Sequence, residues 1–146
     1  MNSLKNIFLV EDDLDDQLFF AEALGKIKNA ALYYIASNGR EALDKLETAA
    51  VLPDIIFMDV HMPKMDGIEC LTAITKNEKI KNIPVVMLTT DTGKMKLVHE
   101  LGAKAFIKKP SDGKILHQKI EQMINLDFSA DSHIASQTFQ PVIALA

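Results

Sequence analysis

Four short apolar runs, 7–10, 55–58, 85–88 and 105–107, are each followed at once by side chains capable of ionic chemistry. Glu11, Asp12 and Asp13 follow the first, Asp59 the second, Thr89 the third, and Lys108 and Lys109 the fourth. Continuous rather than alternating apolar runs of this length are the pattern of strands buried on both faces of a parallel sheet. In an open α/β sheet, ligands bind beyond the carboxyl ends of the strands. The acids, the hydroxyl and the lysine are therefore expected to converge on one edge. Crowded carboxylates repel, and one stays protonated unless a cation is supplied. Oxygen donors without His/Cys spacing suit a hard ion, and two or three carboxylates plus water suit Mg²⁺. A lysine and a hydroxyl opposite such an ion are what the remaining oxygens of a phosphoryl group need. An aspartate in that setting can itself be the nucleophile, forming an acyl phosphate. Asp59, alone at the end of the central run, is the candidate, with Glu11 and Asp12 on a neighbouring strand placed to hold the metal.

Each residue alone has a plainer reading. The run 11–16, five acids in six positions, would cap a helix N-terminus, where negative charge is stabilising. Thr89 would be a turn residue and Lys109 a solvated charge. Their joint occurrence after four apolar runs is what points to a site.

The elements that must position these residues alternate along the chain. A fifth, weaker strand signal is Leu32-Tyr33-Tyr34-Ile35-Ala36, and Pro53 and Pro84 stand just before two of the runs, where a missing N–H is harmless. Between the runs lie helix-period segments. Leu14, Leu18, Ala21 and Leu24 share one face of the first. Asn38 with Glu41 at N3 opens the second, carrying Ala42, Leu43 and Leu46, and Asp66 with Glu69 repeats that cap before Leu71 and Ile74. Leu97, Val98 and Leu101 form a shorter helix ended by Gly102, a suitable C′ residue. Ser111-Asp112 opens the last, with Leu116, Ile120, Met123 and Ile124. Strand and helix alternate five times over residues 5 to about 127, which predicts a doubly wound α/β sheet with right-handed crossovers. The expected division is one domain over 1–127 and a tail over 128–146. The tail is rich in Ser, Ala and Gln, with an apolar patch at Val142-Ile143-Ala144-Leu145. It is either a disordered end or a segment that docks on its own or another subunit.

Composition narrows the class. At 146 residues the chain is long enough to bury a core, and 48% apolar with 25% charged residues is the balance of a globular protein rather than a disordered one. A net charge of −4 argues against nucleic acid or an anionic membrane as partner, since both need clustered Lys and Arg. The apolar runs fall far short of the ~18 residues of a membrane helix, and the first residues do not read as a signal peptide. One cysteine, Cys70, forms no internal disulfide and fits a reducing cytoplasm.

The segment from Asp59 to Glu69, D-V-H-M-P-K-M-D-G-I-E, resembles the stretch around the phosphorylated aspartate of response-regulator receiver domains. Val10-Glu11-Asp12-Asp13, Asn38-Gly39-Arg40-Glu41-Ala42-Leu43, Val85-Val86-Met87-Leu88-Thr89 and Lys109-Pro110 extend the resemblance, in family order, over roughly 5–127. It implies a flavodoxin-like, CheY-like (βα)5 fold of five parallel strands in order 2-1-3-4-5 with helices on both faces. It further implies that Asp59 accepts a phosphoryl group from a phosphohistidine on a sensor histidine kinase or histidine phosphotransfer protein. Asp12 would ligate Mg²⁺ directly and Glu11 through water, with Asp59 and the backbone carbonyl of His61 as further ligands; Asp13 is a helix cap. Lys109 would pair with the phosphoryl oxygens, its bond to Pro110 cis as the family implies. Thr89 would swing to the phosphoryl group, and Phe106, the aromatic switch, would move inward with it. His61 and Asp91 occupy positions that tune phosphoryl lifetime. The segment from Thr89 to Lys109 is shorter than is common in the family, the loss falling near Asp91-Thr92-Gly93. His99, His117 and His133 read as surface polar residues.

The resulting expectation is a cytoplasmic, single-domain switch rather than an enzyme. It would signal to a downstream protein target or pass the phosphoryl group on, as a monomer or weak homodimer. A receiver read out without phosphorylation, as an adaptor or dimerisation module, is the alternative within the fold. An aspartate-nucleophile phosphatase would need a second acid two residues after the first, where His61 stands, and a flavin carrier would need a Ser/Thr/Gly-rich loop where the five acids stand.

Overall fold

Five strands, β1 Lys5–Val10, β2 Ala30–Ala36, β3 Ile55–Met58, β4 Val85–Thr89 and β5 Ala105–Lys108, form one sheet in the order β2-β1-β3-β4-β5. Every neighbouring pair is parallel. The structure, a computed structural model, describes residues 3–126 and Phe128. The expectations for the tail 129–146, His133 included, lie outside the described residues, while the Phe128 ring packs against the core.

β3 and β4 are buried along their whole length, which explains why they read as unbroken apolar runs. β2, at an edge, is half-exposed except at Ala36, and its sequence signal is correspondingly weak. Five helices cover the faces: α1 Leu14–Leu24, α2 Gly39–Thr48, α3 Gly67–Thr75, α4 Met95–Glu100 and α5 Gly113–Ile124. Side-chain alternation along the strands divides the core in two. Phe8, Val10, Ile56, Met58, Met87 and Phe106 face α2, α3 and α4, whereas Ile7, Leu9, Phe57, Leu88 and Ile107 face α1 and α5.

The helix starts follow the caps. Asp13 accepts from the Asp16 N–H, Asn38 from Glu41, and Asp112 from Lys114. Asp66 and Glu69 form a full capping box. At the end of α4, Gly102 has φ +111°. Its N–H donates to the His99 carbonyl and the next N–H, of Ala103, to Val98, the paired bonds of a Schellman motif that only glycine adopts without strain. Among the predicted surface histidines, His99 is exposed, and His117, half-buried, places Nδ1 3.2 Å from the Ala23 carbonyl of α1.

Two expectations are corrected. The core face of α1 is not Leu14-Leu18-Ala21-Leu24: Leu14 and Leu18 are 72% and 69% exposed, and Phe20, Ala23 and Leu24 are the buried residues. Two apolar stripes overlap in this helix, and the one carrying the phenyl ring buries more area and packs at a tilt against Phe57, ring centroids 5.1 Å apart. Nor is the Lys109–Pro110 bond cis, for no peptide bond among the described residues is. Trans is the lower-energy form of an X-Pro bond by about 0.5–1 kcal/mol, and the Lys109 ammonium reaches its partners with the bond trans.

No helix among the described residues is long and apolar enough to cross a membrane. Phe20→Ala is expected to lower unfolding free energy by about 3–5 kcal/mol, and Leu18→Ala by less than about 0.5 kcal/mol, measured by urea denaturation. The reverse ranking would restore the first reading of α1.

Candidate functional site

The last rungs of the parallel ladder place the site. The Glu11 N–H donates to the Ala36 carbonyl (2.9 Å), Asp59 to Val10 (3.0 Å) and Lys109 to Thr89 (2.9 Å). Each functional side chain therefore leaves the sheet where pairing ends, held by a backbone bond to the neighbouring strand. The loop from Asp59 to α3 is fixed as tightly. Lys64 takes a left-handed φ of 66°, Met65 donates to Pro63, and Gly67 donates to the Val60 carbonyl at 2.7 Å. A Cβ on Gly67 would lie 2.0 Å from the Asp59 carbonyl oxygen, so α3 begins in direct contact with the Asp59 peptide.

Glu11 and Asp59 are buried and Asp12 is exposed, and one oxygen from each lies within 4.8 Å of the others. Asp59 Oδ1 accepts from the Val60 N–H at 2.8 Å. The Lys109 ammonium is bound on three sides, by Glu11 Oε1 at 2.6 Å, Asp16 Oδ2 at 2.8 Å and Asp59 Oδ2 at 3.3 Å. Burial pushes the Glu11 carboxyl up to about 7; the hydrogen bond from Lys109 opposes the rise and the Asp59 charge adds to it. Burial alone would lower the Lys109 pKa, but its bonds to Asp16 and Glu11 and the Asp59 charge hold it above the usual lysine value. Three hard carboxylate oxygens around one point, with surplus negative charge, suit a divalent cation of the Mg²⁺ class.

Thr89 is buried at the end of β4, and its Oγ1 accepts from the Asp91 N–H at 3.2 Å. Strand alternation puts Thr89 on the same side of the sheet as Met87 and Phe106. Phe106 is fully buried, so its ring is already inside the core in this state. His61 and Asp91 meet, Nε2 to Oδ2, at 2.7 Å, joining the loop after β3 to the loop after β4. That bond is the first cause of the lowered Asp91 pKa. Asp91 Oδ1 also accepts from the Gly93 N–H and so caps a single 3-10 turn, Thr92–Lys94, that precedes the six-residue α4.

Asp16 is the site residue that the sequence reading missed. Among five acids it passed as helix-capping charge. The available signal was its spacing: Asp16 stands four residues before Phe20, on the buried stripe of α1.

The family model for the response regulator receiver domain matches residues 7–121. The chain belongs to that family. It is 35% identical over 117 residues to the chemotaxis protein CheY of Treponema pallidum, covering 76% of this chain and 79% of that one. Among solved structures, the phosphorylated cyanobacterial phytochrome response regulator RcpA superposes with a TM-score of 0.75 at 30% identity, covering 83% of this chain and 91% of the other. The Mn²⁺-bound form of response regulator Rcp1 does so at 0.71 and 28%, covering 88% and 96%. The chain spans only 5–40% of the length of three longer curated relatives. The receiver is thus a CheY-like module of two-component signalling with the family's fold, and its Glu11-Asp12-Asp59 cluster fits the acidic cation pocket of that family.

A pH dependence follows. The native Glu11 pKa lies above the ordinary value of 4.5, so its contribution to stability is fully present below about pH 4.5 and is lost as pH rises through about 7. The metal-free receiver is expected to lose Tm from about pH 5 to pH 8 more steeply than Glu11→Gln, and Mg²⁺, which needs the ionised carboxylate, should reduce that loss. Equal slopes for the two proteins would remove Glu11 as the titrating group.

Proposed function

We propose that the receiver takes a phosphoryl group onto Asp59 from a phosphohistidine of a sensor histidine kinase or histidine phosphotransfer protein. The observation that carries this reading is the setting of Asp59: buried at the end of β3, in an acidic trio fit for a divalent ion, with the Lys109 ammonium 3.3 Å from its Oδ2. In the transfer, a carboxylate oxygen attacks phosphorus in line with the P–N bond. A P–O bond forms as the P–N bond breaks, and the departing imidazole nitrogen keeps the electron pair. Lys109 meets the charge on the equatorial oxygens, and the Thr89 hydroxyl turns from the Asp91 N–H to donate to one of them. Asp12, Asp59, Glu11 and the His61 carbonyl would hold Mg²⁺, which would supply positive charge to the same oxygens.

The output is a change of shape passed to a downstream protein or relay partner in the cytoplasm. It runs through Thr89 and Phe106, which share one face of the sheet, toward α4. Residues 1–127 are the switching unit, and the chain acts on its own phosphorylation rather than on an external substrate. Acyl-phosphate lifetime is set in part by the His61–Asp91 pair. With both Asp91 oxygens engaged, by His61 and by the Gly93 N–H, that carboxylate is withheld from service as a base for water.

Intact mass after incubation with acetyl phosphate is the direct test. A gain of one phosphoryl group that needs Mg²⁺ and is absent in Asp59→Asn is expected; full labelling of that variant would overturn the assignment. In His61→Ala the acyl phosphate is expected to decay several-fold faster, because Asp91 is freed; an unchanged lifetime would remove the pair from that role.

A further inference from the structure

Lys109 is the group meant to meet the phosphoryl oxygens, yet its distances favour other partners. Asp59 is the farthest of its three carboxylates, at 3.3 Å, against 2.8 Å for Asp16 and 2.6 Å for Glu11. An ammonium has three donors, and all three are in use. Asp16 differs from the other two in kind: it stands on α1, outside the Glu11-Asp12-Asp59 cluster, and its side chain is 45% exposed. Packing does not lock the lysine in place. An open cavity of about 320 Å³ lies beside it, walled by Phe19, Leu116 and Pro110 as well as by Asp16. The position of the ammonium is therefore set by the balance of charges around it.

We propose that Asp16 is a positioning residue that competes with the Asp59 site for Lys109. It draws the ammonium toward α1 in the resting receiver and yields it as charge accumulates at Asp59. This rests on the phosphoryl-acceptor reading above, and it adds α1 to the elements that sense the modification, because the Asp16 contact is loosened when Lys109 moves. Asp15, the neighbouring acid, lines the same cavity but makes no bond to Lys109, so it provides a control for general charge.

The test is beryllofluoride affinity at saturating Mg²⁺ in wild type, Asp16→Asn, Asp16→Glu and Asp15→Asn, together with the Lys109 side-chain NMR resonance of each ligand-free protein. Asp16→Asn is expected to bind several-fold more tightly, with Asp15→Asn close to wild type and Asp16→Glu restoring the weaker binding. The ligand-free Lys109 resonance should move in Asp16→Asn and stay in Asp15→Asn. Unchanged or weaker binding by Asp16→Asn overturns the competition, as does an equal gain in Asp15→Asn or an unmoved Lys109 resonance. Those results would leave the acceptor role of Asp59 standing. Absence of Mg²⁺-dependent binding by the wild type would overturn both readings.

Discussion

Surplus negative charge around one ammonium is the constraint on which the rest of this receiver turns. Glu11, Asp16 and Asp59 all touch Lys109, and Asp12 closes the acidic trio from outside. Burial raises the Glu11 pKa, and the like charge of Asp59 adds to the rise. The carboxylates that touch the lysine come from three different supports. Glu11 and Asp59 directly follow the adjacent strands β1 and β3, Asp16 stands on the first turn of α1, and the lysine directly follows β5. The parallel sheet brings Asp59 and Lys109, distant along the chain, to the acids of the 11–16 segment.

What was legible in the sequence was whatever depended on strand ends. β3 and β4 are buried on both faces and announce themselves as unbroken apolar runs, so Asp59, just after β3, and Thr89, the last residue of β4, are placed by the sequence alone. The caps were legible for a similar reason, since Asp13, Asn38 and Asp66 satisfy N–H groups within three residues of themselves. What escaped was rotational. LFFAEAL within α1 offers two apolar stripes, and only packing against α5 and Phe57 selects the one through Phe20. Asp16 went unseen with it, because its role depends on which way that helix is turned. The Lys109–Pro110 bond, expected cis from the resemblance, is trans, and no residue of the sequence distinguishes two isomers so close in energy.

The two faces of the sheet divide the labour. On the α1/α5 side, Phe20, Leu24, Leu116 and Ile120 are buried against β1, β3 and β5, and this half supplies the Lys109–Asp16 contact. On the other side, α3 is set hard against the Asp59 peptide by Gly67, while the loop leading to α4 is joined to it through His61 and Asp91. One neighbour of Asp59 thus sits at van der Waals range of its backbone, the other at the end of a polar bridge.

That difference gives α4 an uneven mounting. Its C-terminal end is tied by the two bonds around Gly102, whereas its first residue follows Lys94, which makes no side-chain cap bond. Helices shorter than ~12 residues draw their stability from packing rather than from themselves, and of the six in α4 only Val98 is buried. The element is therefore held from outside itself at both ends, by the bonds around Gly102 at one and, at the other, by Met95 against the core and by the 3-10 turn that Asp91 caps and His61 anchors.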